Sequence, residues 1–572
     1  MMGRVQTLHR PFRHTRQHRS FRLARPLPKR TQRNPRHPPR RRWTTSHNPS
    51  STHPCRAHHL SPPKACLPSG GRSGHGGPWH LQPPLPLPQA RICDNNGNGG
   101  VLGANAGGWG GRHAYPVRML LFDTLTNTKR ELELREPGHV SIYACGPTVY
   151  EAPHLGHARN ALTYDILRRY FEWRGYNVHH VSNVTDIDDN IINRAQREGT
   201  TEPEVAATWE RIYIEAMDAL DVLHPHDRPH ATNFVDEMVA FIGSLVDAGA
   251  AYETDTGVYL SVAAVPDYGA LVHRSPDDLR ESAGARVDVD EHKRDPLDFV
   301  LWKRAKPGEP TWPSPWGEGR PGWHIECVAM SLQLLGADFD IHGGGNDLAF
   351  PHHENERAEA VASGCSFARH WVHHAMVNVS GEKMSKSLNN FTTVQDLLAD
   401  HEGRALRLLM LQTHYRKTME ISADVMAQVE AGLDRLDSLV RRADAAAVDW
   451  STDERDDAVV DAFVAAMDDD LGTPKAMATV FDLVGRANTA LDESDPQAGK
   501  LVATVVDLAG AVGLRIEPGT AEGDPEIDDL VARRQAARAA KDFAAADAIR
   551  DELQALGVEV EDTPTGPIWR RA

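Results

Sequence analysis

The order of strand and helix patterns between residues 139 and 199 constrains the fold of this chain more than any other feature. HVSIYAC (139–145) is a short apolar run that a glycine and a proline terminate, which predicts a strand. The apolar residues of ARNALTYDILRRYFEWRGY (158–176) recur at helical spacing. NVHHVSNV (177–184) and DIDDNIINRAQREG (186–199) repeat the strand and the helix. This alternation predicts an α/β fold with a parallel, Rossmann-like sheet.

A polar segment, GPTVYEAPHLGH (146–157), follows the first predicted strand. In open parallel sheets, ligands bind outside the carboxyl ends of the strands. His154 and His157 flank Gly156 at this strand-to-helix turn, where imidazoles and a bare backbone can approach a polyphosphate. Taken alone, the tetrad is a weak signal, because a short H-x-G-H also arises by chance among surface histidines.

A second polar segment, GEKMSKSLNN (381–390), places Lys383 and Lys386 three residues apart on a predicted loop. Two lysines on a closing loop can neutralise the charge that develops when a carboxylate attacks an α-phosphate and pyrophosphate leaves. A solvated basic loop is the alternative if the segment is considered by itself.

HLGH and KMSKS, in this order and on this sheet pattern, resemble the two signatures of class I aminoacyl-tRNA synthetases. The resemblance implies that ATP binds with Mg²⁺ and reacts with an amino acid to form an adenylate. It also implies that His154, His157 and Lys386 stabilise that transition state, with Lys383 in support. Contacts to ATP are expected from His154, Gly156, His157 and Lys386.

Four further segments are similar to those of cysteinyl-tRNA synthetases: YACGPTVY, NVTDIDDNII, WPSPWGEGRPGWHIEC and FDIHGGGNDLAFPHHENE. The resemblance implies one Zn²⁺ per chain, bound directly by the thiolate of the substrate cysteine. Two thiolates, an imidazole and a carboxylate form a normal zinc set. A buried apolar role is the alternative for each cysteine. The implied ligands are Cys145, Cys327, His352 and Glu356.

A predicted helix in PHHENERAEAVASG (351–364) carries two of these ligands. Pro351 suits the first helical position, and Gly364 suits the end. His352 and Glu356 are four residues apart and share a helix face. We expect the neighbouring His353 to lie off that face and to be structural.

The same resemblance implies that Thr185, Trp323 and Asp347 shape the amino-acid pocket, with His342 close by. A hydrophobic pocket gains only about 1–3 kcal/mol from small differences between substrates, so it separates serine from cysteine poorly. A metal prefers the soft thiolate to a hydroxyl of much higher pKa. Trp323 could equally belong to the core, and Thr185 could cap the following helix.

Amphipathic patterns after residue 400 predict a helical bundle over 401–518. By resemblance, residues 519–572 form a small anticodon-binding domain. Its basic helix and its C-terminal Trp-Arg pair suit RNA backbone charge and base stacking. The alternative is an ordinary charged helix face with a frayed tail. The candidate tRNA contacts are Arg533, Arg534, Arg538, Trp569 and Arg570.

Residues 1–118 contain about 20 lysines and arginines against the single acid Asp94, which leaves a net charge of about -35 on the rest of the chain. The extension lacks hydrophobic periodicity and is predicted to be disordered. It could be a basic RNA-binding arm or an Arg-rich targeting peptide. We favour translation that begins near Met119. A tRNA would have to meet local basic patches, because the average field of the body repels phosphate.

These observations predict a catalytic domain over 119–400 with an insertion near 240–300. The expected function is ligation of L-cysteine to the 3′ end of tRNA(Cys) with ATP. The six cysteines are too sparse for a disulfide scaffold, so we expect a reducing, cytoplasmic location. We also expect a monomer without a membrane span, because no apolar run reaches about 18 residues.

Three other functions compete with this interpretation. The cysteine ligase of mycothiol biosynthesis shares the zinc site and the adenylation step, but it lacks a long C-terminal extension. A non-catalytic RNA-binding paralogue would not need the intact His154, His157 and Lys386. A zinc hydrolase needs an open metal position, and the sequence has no H-E-x-x-H.

Overall fold

The computed structural model describes residues 118–283, 291–379, 382–383, 392–518, 524–563 and 566–571. Lys386 and residues 1–117 of the predicted extension lie outside these ranges, so their predicted roles stay predictions. For Lys383 and Arg570 the described feature is the backbone, which lies in a strand at both positions.

A parallel sheet of four strands in the order β10-β9-β3-β4 forms the centre of the catalytic region. β3 and β4 run parallel, with His139 opposite Asn177, and helix α1 connects them. The predicted α/β class with a parallel sheet is therefore confirmed. The strands are β3 (His139–Ala144), β4 (Asn177–Ser182), β9 (Ile341–Gly345) and β10 (His370–His374), and α1 is Leu155–Trp173.

Helices pack around this sheet, and two of them contain candidate metal ligands: Cys327 in α6 and Glu356 in α7. Helix α2 begins after Asp188, whose side chain accepts a hydrogen bond from the Asn190 amide, and it ends at Gly199 with a left-handed φ of 68°. Helix α6 is nearly continuously apolar and buried, as its position between two layers requires. The helices are α2 (Asp189–Glu198), α3 (Glu202–Ala219), α6 (Trp323–Leu335) and α7 (Glu354–Ser363).

The segment between α3 and α6 contains an antiparallel sheet in the order β5-β6-β7-β8. This sheet ends at Pro321, which is beyond the predicted range of 240–300 for the insertion. Its buried Leu301 and Trp302 join the core that also packs under α6. The elements are α4 (Val235–Asp247), β5 (Ala251–Glu253), β6 (Gly257–Leu260), α5 (Pro276–Ala283), β7 (Phe299–Arg304) and β8 (Gly319–Pro321).

Two small sheets are formed by segments that precede and follow the central sheet in the sequence. An N-terminal hairpin consists of β1 (Leu120–Asp123) and β2 (Thr128–Glu131). A second small sheet has the order β12-β11-β13, from β11 (Val377–Val379), β12 (Glu382–Lys383) and β13 (Met419–Ile421). Lys383 therefore lies in a strand opposite Asn378, not in the predicted loop. After the segment that follows Lys383, the chain returns to the first motif, since the Val394 amide donates to the Pro153 carbonyl at 2.9 Å.

The predicted helical region 401–518 contains five helices in its described residues: α9 (Gly403–Gln412), α10 (Ala423–Ala445), α11 (Asp457–Met467), α12 (Thr473–Asp492) and α13 (Ala498–Gly510). The short helix α8 (Val394–Leu398) precedes them. The amphipathic stretch 461–492 is divided between α11 and α12. Asp470 and Leu471 both have positive φ there, and a helix cannot continue through that conformation.

The C-terminal residues form two helices and a hairpin: α14 (Pro525–Ala539), α15 (Phe543–Ala555), β14 (Val558–Thr563) and β15 (Gly566–Arg571). They enclose a small core of their own that includes Ile527, Leu553 and Trp569. Within the described residues, none of the helices combines the length and the apolar character that crossing a bilayer requires.

Candidate active site and metal centre

The HLGH tetrad caps the N-terminus of α1, with His154 at the N-cap position. His154 Nδ1 accepts a hydrogen bond from the Gly156 amide at 3.1 Å, and His157 Nδ1 accepts one from the His154 amide at 3.1 Å. The two rings stack with centroids 3.8 Å apart. This arrangement places both imidazoles at a helix N-terminus, where the helix dipole favours anions.

Cys145, Cys327, His352 and Glu356 come together in one buried cluster, as the resemblance implied. Cys145 Sγ lies 3.7 Å from Cys327 Sγ and 3.7 Å from Glu356 Oε1. His352 Nε2 lies 3.5 Å from Cys327 Sγ and 3.0 Å from Glu356 Oε1. Ligand atoms around tetrahedral zinc with bonds of about 2.0–2.3 Å are about 3.3–3.8 Å apart, which matches three of these distances, while the distance between His352 and Glu356 is shorter. The donor set and its spacing therefore fit zinc.

The electrostatics of this cluster also favour a cation. Burial raises the pKa of Cys145, Cys327 and Glu356, and it raises that of Cys327 to about 11. Three acidic groups that face one another away from water resist ionisation. A divalent ion would offset both the burial and the mutual repulsion of the charged forms.

The turn before α7 corrects the predicted helix start. Phe350 has extended backbone angles of φ -145° and ψ 130°, as the steric clash with a following proline favours. Pro351 is therefore not the first residue of a regular helix, and α7 begins at Glu354. A wide turn, Ala349–His353, precedes α7, and the His353 amide donates to the Leu348 carbonyl at 2.8 Å. The predicted end at Gly364 is present, with φ 78°.

Two further histidines contact the cluster. His353 Nε2 lies 3.2 Å from Cys145 Sγ, so His353 does not lie off the face as expected. It lies in the wide turn before α7, so regular helical spacing from Glu356 does not describe its position. His342 Nε2 lies 2.6 Å from Glu356 Oε2. Cys145, His342, His353 and Glu356 form a second group of buried donors that overlaps the first.

Three of the predicted pocket residues contact the cluster or its neighbour Glu326: Trp323, His342 and Thr185. Trp323 is 37 % exposed and stacks on His352 with centroids 4.0 Å apart, so it is not a core residue. Thr185 does not cap α2, since Asp188 does; its hydroxyl donates to Glu326 Oε2 at 2.8 Å. Asp347 is exposed just after β9.

Sequence reasoning missed two buried polar neighbours of the cluster. Glu326 precedes Cys327 and accepts the hydrogen bond from Thr185. Asn183 Oδ1 accepts a hydrogen bond from the Gly146 amide at 2.8 Å. A Cβ atom at position 146 would lie 1.6 Å from the Asn183 carbonyl oxygen, which explains the glycine after Cys145. These contacts fix the backbone that presents the Cys145 thiol.

Comparison with known proteins gives the family. Residues 131–431 match the tRNA synthetases class I (C) catalytic domain, and 462–517 match a DALR domain. Residues 520–570 match the cysteinyl-tRNA ligase anticodon binding domain. The chain is 47 % identical over 464 residues to the cysteine–tRNA ligase of Alkalilimnicola ehrlichii, and 47 % identical over 465 residues to that of Halorhodospira halophila. Each match covers 79 % of this chain and 99 % of the relative.

The chain belongs to the cysteine–tRNA ligase family. Among solved structures, a Mycobacterium tuberculosis methionyl-tRNA synthetase bound by methionyl-adenylate matches with 15 % identity and a TM-score of 0.48. That match covers 71 % of this chain and 96 % of the methionyl enzyme.

The C-terminal domain of this cysteine–tRNA ligase family member uses two of the predicted tRNA contacts internally. Arg534 donates to both carboxylate oxygens of Asp562, at 2.8 and 3.0 Å. Trp569 is 8 % exposed, and its Nε1 donates to Asp528 Oδ1 at 2.7 Å. Both side chains make contacts within the domain, and Trp569 also lines a surface cavity of about 540 Å³ together with Arg441 and Arg442.

Two other predicted contacts lie at the surface of the same domain. The Arg533 side chain is 58 % exposed, 3.7 Å from Asp529. Arg538 is partly exposed and bonds Asp562 together with Arg534. Arg533 is therefore the described arginine of the predicted set with the greatest exposure to a partner.

Proposed function

We propose that this chain ligates L-cysteine to tRNA(Cys) in two steps. Cysteine reacts with ATP to give cysteinyl-adenylate and pyrophosphate, and the terminal ribose of the tRNA then takes the cysteinyl group and releases AMP. The observation that carries this proposal is the Cys-Cys-His-Glu cluster after β3, beside the helix that HLGH begins, since Asn160 Nδ2 of α1 donates to the Cys145 carbonyl at 3.0 Å. The membership of the chain in the cysteine–tRNA ligase family supports it.

Cys145, Cys327, His352 and Glu356 would hold the Zn²⁺. When bound, zinc supplies a soft Lewis acid that prefers a thiolate to a hydroxyl, which gives selectivity for cysteine over serine. The stacked Trp323 ring orients His352 and forms one wall of the approach to the cluster. Asp347, which is exposed near the cluster end of β9, suits the substrate ammonium group.

His154 and His157 would stabilise the phosphates of ATP, which binds with Mg²⁺. Their rings stand at the N-terminus of α1, so a neutral or charged imidazole can donate to a phosphate oxygen there. The backbone of Gly156 lets the nucleotide approach closely. Lys383 and Lys386 would neutralise the charge on pyrophosphate, and the return of the chain at Val394 beside Pro153 supports a loop that closes over HLGH.

Thr185 and His342 would act from behind the pocket. Thr185 donates to the buried Glu326, and His342 contacts Glu356, so both constrain groups next to the substrate. We propose that the chain acts as a monomer. The two cluster thiols need a reducing compartment, which supports the cytoplasm.

For tRNA(Cys), we propose contacts from Arg533, Arg538 and Arg570. Arg533 and Arg538 lie on α14 with partly exposed guanidinium groups, which suits the RNA backbone. The match of residues 520–570 to an anticodon binding domain supports this placement.

Cysteine-dependent exchange of pyrophosphate into ATP, followed by charging of total tRNA with labelled cysteine, tests the proposal. We expect exchange and charging with cysteine and neither with serine. Lys386→Ala should slow exchange severely, by on the order of 100–1,000-fold, while leaving cysteine binding nearly unchanged. Exchange without tRNA charging would indicate a ligase for a small-molecule acceptor instead.

A further inference from the structure

A chain of hydrogen-bonding groups connects the Cys-Cys-His-Glu cluster to the N-terminal hairpin. His353 Nε2 lies 3.2 Å from Cys145 Sγ, and His353 Nδ1 lies 2.8 Å from His373 Nε2. His373 Nδ1 lies 2.7 Å from Thr124 Oγ1. Both imidazoles are buried. We call Thr124, His373 and His353 the imidazole relay.

The chemistry of the cluster end sets the direction of these hydrogen bonds. A neutral imidazole has one donor and one acceptor nitrogen. Burial lowers the pKa of His373 to about 3, so its ring is neutral at pH 7. A thiolate at Cys145 only accepts, so His353 donates to it from Nε2 and accepts at Nδ1. His373 then donates from Nε2 and accepts at Nδ1, where the Thr124 hydroxyl can donate.

The far end of the relay is held by the backbone. The Thr124 amide donates to the Trp371 carbonyl at 2.9 Å, and His273 Nε2 lies 2.8 Å from the Thr124 carbonyl oxygen. The hydroxyl of Thr124 is therefore presented to His373 from a fixed main chain. Thr124 lies in the turn after β1, so it reaches the cluster only through the two histidines.

We propose that Thr124, His373 and His353 are positioning residues of the metal centre, and that their hydrogen-bond chain orients the Cys145 sulfur and sets how tightly the cluster holds its ion. This inference rests on the proposed zinc centre. Groups that hydrogen-bond to metal ligands change metal affinity by roughly 10–100-fold when they are lost. The relay also accounts for a threonine hydroxyl aimed at a buried histidine.

The test uses the full-length protein, stripped of metal and titrated with Co²⁺ alone. Thr124→Val removes the donor hydroxyl and keeps the shape of the side chain. We expect Co²⁺ affinity to fall about tenfold. We also expect the sulfur-to-cobalt charge-transfer band to move to longer wavelength, because a weaker hydrogen bond raises the energy of the sulfur lone pairs. Thr124→Ser keeps the hydroxyl and should restore both values.

Thr126→Val is the matched control, since Thr126 lies in the same turn with its hydroxyl 3.1 Å from Thr128 Oγ1 at the surface. Thermal unfolding of each variant separates a loss of folding from a loss of hydrogen bonding. If the unsubstituted protein shows no sulfur-to-cobalt band, the proposed metal centre itself is wrong. If it shows the band, and Thr124→Val leaves band and affinity unchanged, the relay is wrong while the metal centre stands.

Discussion

Ionisable side chains are arranged differently in the Cys-Cys-His-Glu cluster and in the C-terminal domain. In the cluster, two thiols and the Glu356 carboxyl group lie together away from water, and burial raises the pKa of each. In the C-terminal domain, Arg534 and Arg538 both pair with Asp562, whose pKa the two guanidinium groups lower. A cluster of like groups needs a cation from outside, whereas paired opposite charges complete one another. The first arrangement therefore indicates a ligand, and the second indicates a structural role.

Among the predicted substitutions, replacement of Cys327 should have the largest effect, on zinc affinity and on the rate of cysteine-dependent exchange. A structural zinc ion contributes roughly 10–16 kcal/mol through four ligands, so loss of one thiolate costs about 3 kcal/mol, or on the order of 100-fold in zinc affinity. We expect Cys327→Ser to lose zinc and cysteine-dependent exchange together. Zinc content and exchange rate measure this. Ser331, which is buried on the same helix outside the cluster, provides the control Ser331→Ala. An unchanged zinc affinity in Cys327→Ser would contradict the ligand set.

The pH dependence of stability should next distinguish the central sheet, which contains His180, from the C-terminal domain. Burial lowers the pKa of His180 to about 3, below the ordinary 6.5, so the folded state keeps this ring neutral. Its contribution is complete above pH 6.5 and is lost as the pH falls toward 3, because the unfolded chain binds the proton. Between pH 7 and 5 the loss is about 2 kcal/mol. Denaturant unfolding of His180→Leu should lack this part of the acid sensitivity.

The exposed His224 provides the control for that experiment, since His224→Leu removes an imidazole paired with Asp218 at the surface. In the C-terminal domain the sign of the shift differs. The pKa of Asp562 is lowered, so its contribution is present above the ordinary value of 3.8 and is lost only below it. An equal acid loss in His180→Leu and in the unsubstituted chain would contradict the role of His180.

Arg534 should matter for stability more than for RNA. The Arg534 side chain is 10 % exposed and makes a two-bond contact with Asp562. We expect Arg534→Met to destabilise the C-terminal domain by about 1–2 kcal/mol, because hydrogen bonds to charged groups contribute roughly that much when partly screened. Limited proteolysis and thermal unfolding measure this. A fully stable variant with weakened tRNA binding would return Arg534 to the RNA-contacting set.

Arg533 should show the smallest effect and the reverse pattern. Its guanidinium group is largely exposed, so Arg533→Met should leave stability unchanged. We expect tRNA affinity to fall by a few-fold and the salt dependence of binding to decrease by about one phosphate contact. Filter binding at several salt concentrations measures both quantities. Unchanged affinity and salt dependence would remove Arg533 from the proposed tRNA surface.

Much of the site could be predicted from the sequence because its parts are local patterns. The position of Cys145 after a strand, the HLGH turn and the i,i+4 pair of His352 and Glu356 all follow from short-range spacing. The orientation of His353 did not follow. It depends on the wide turn Ala349–His353, which the extended residue before Pro351 produces. Buried Glu326 and Asn183 lie within the segments WPSPWGEGRPGWHIEC and NVTDIDDNII, but no spacing in those segments assigned them to the site.

The sequence by itself determined the parallel sheet and the order of the helices, because periodicity is a property of a few neighbouring residues, and the family resemblance of its motifs supplied the proposed metal ligands. Only the tertiary structure decided which of the predicted tRNA-binding side chains pair with carboxylates inside the C-terminal domain. Arg534 and Trp569 became internal because folding brought Asp562 and Asp528 opposite them. Likewise, Thr124 faces the metal centre only because the hairpin packs beside β10 and His373. Contacts between distant segments depend on packing, and no local pattern records them.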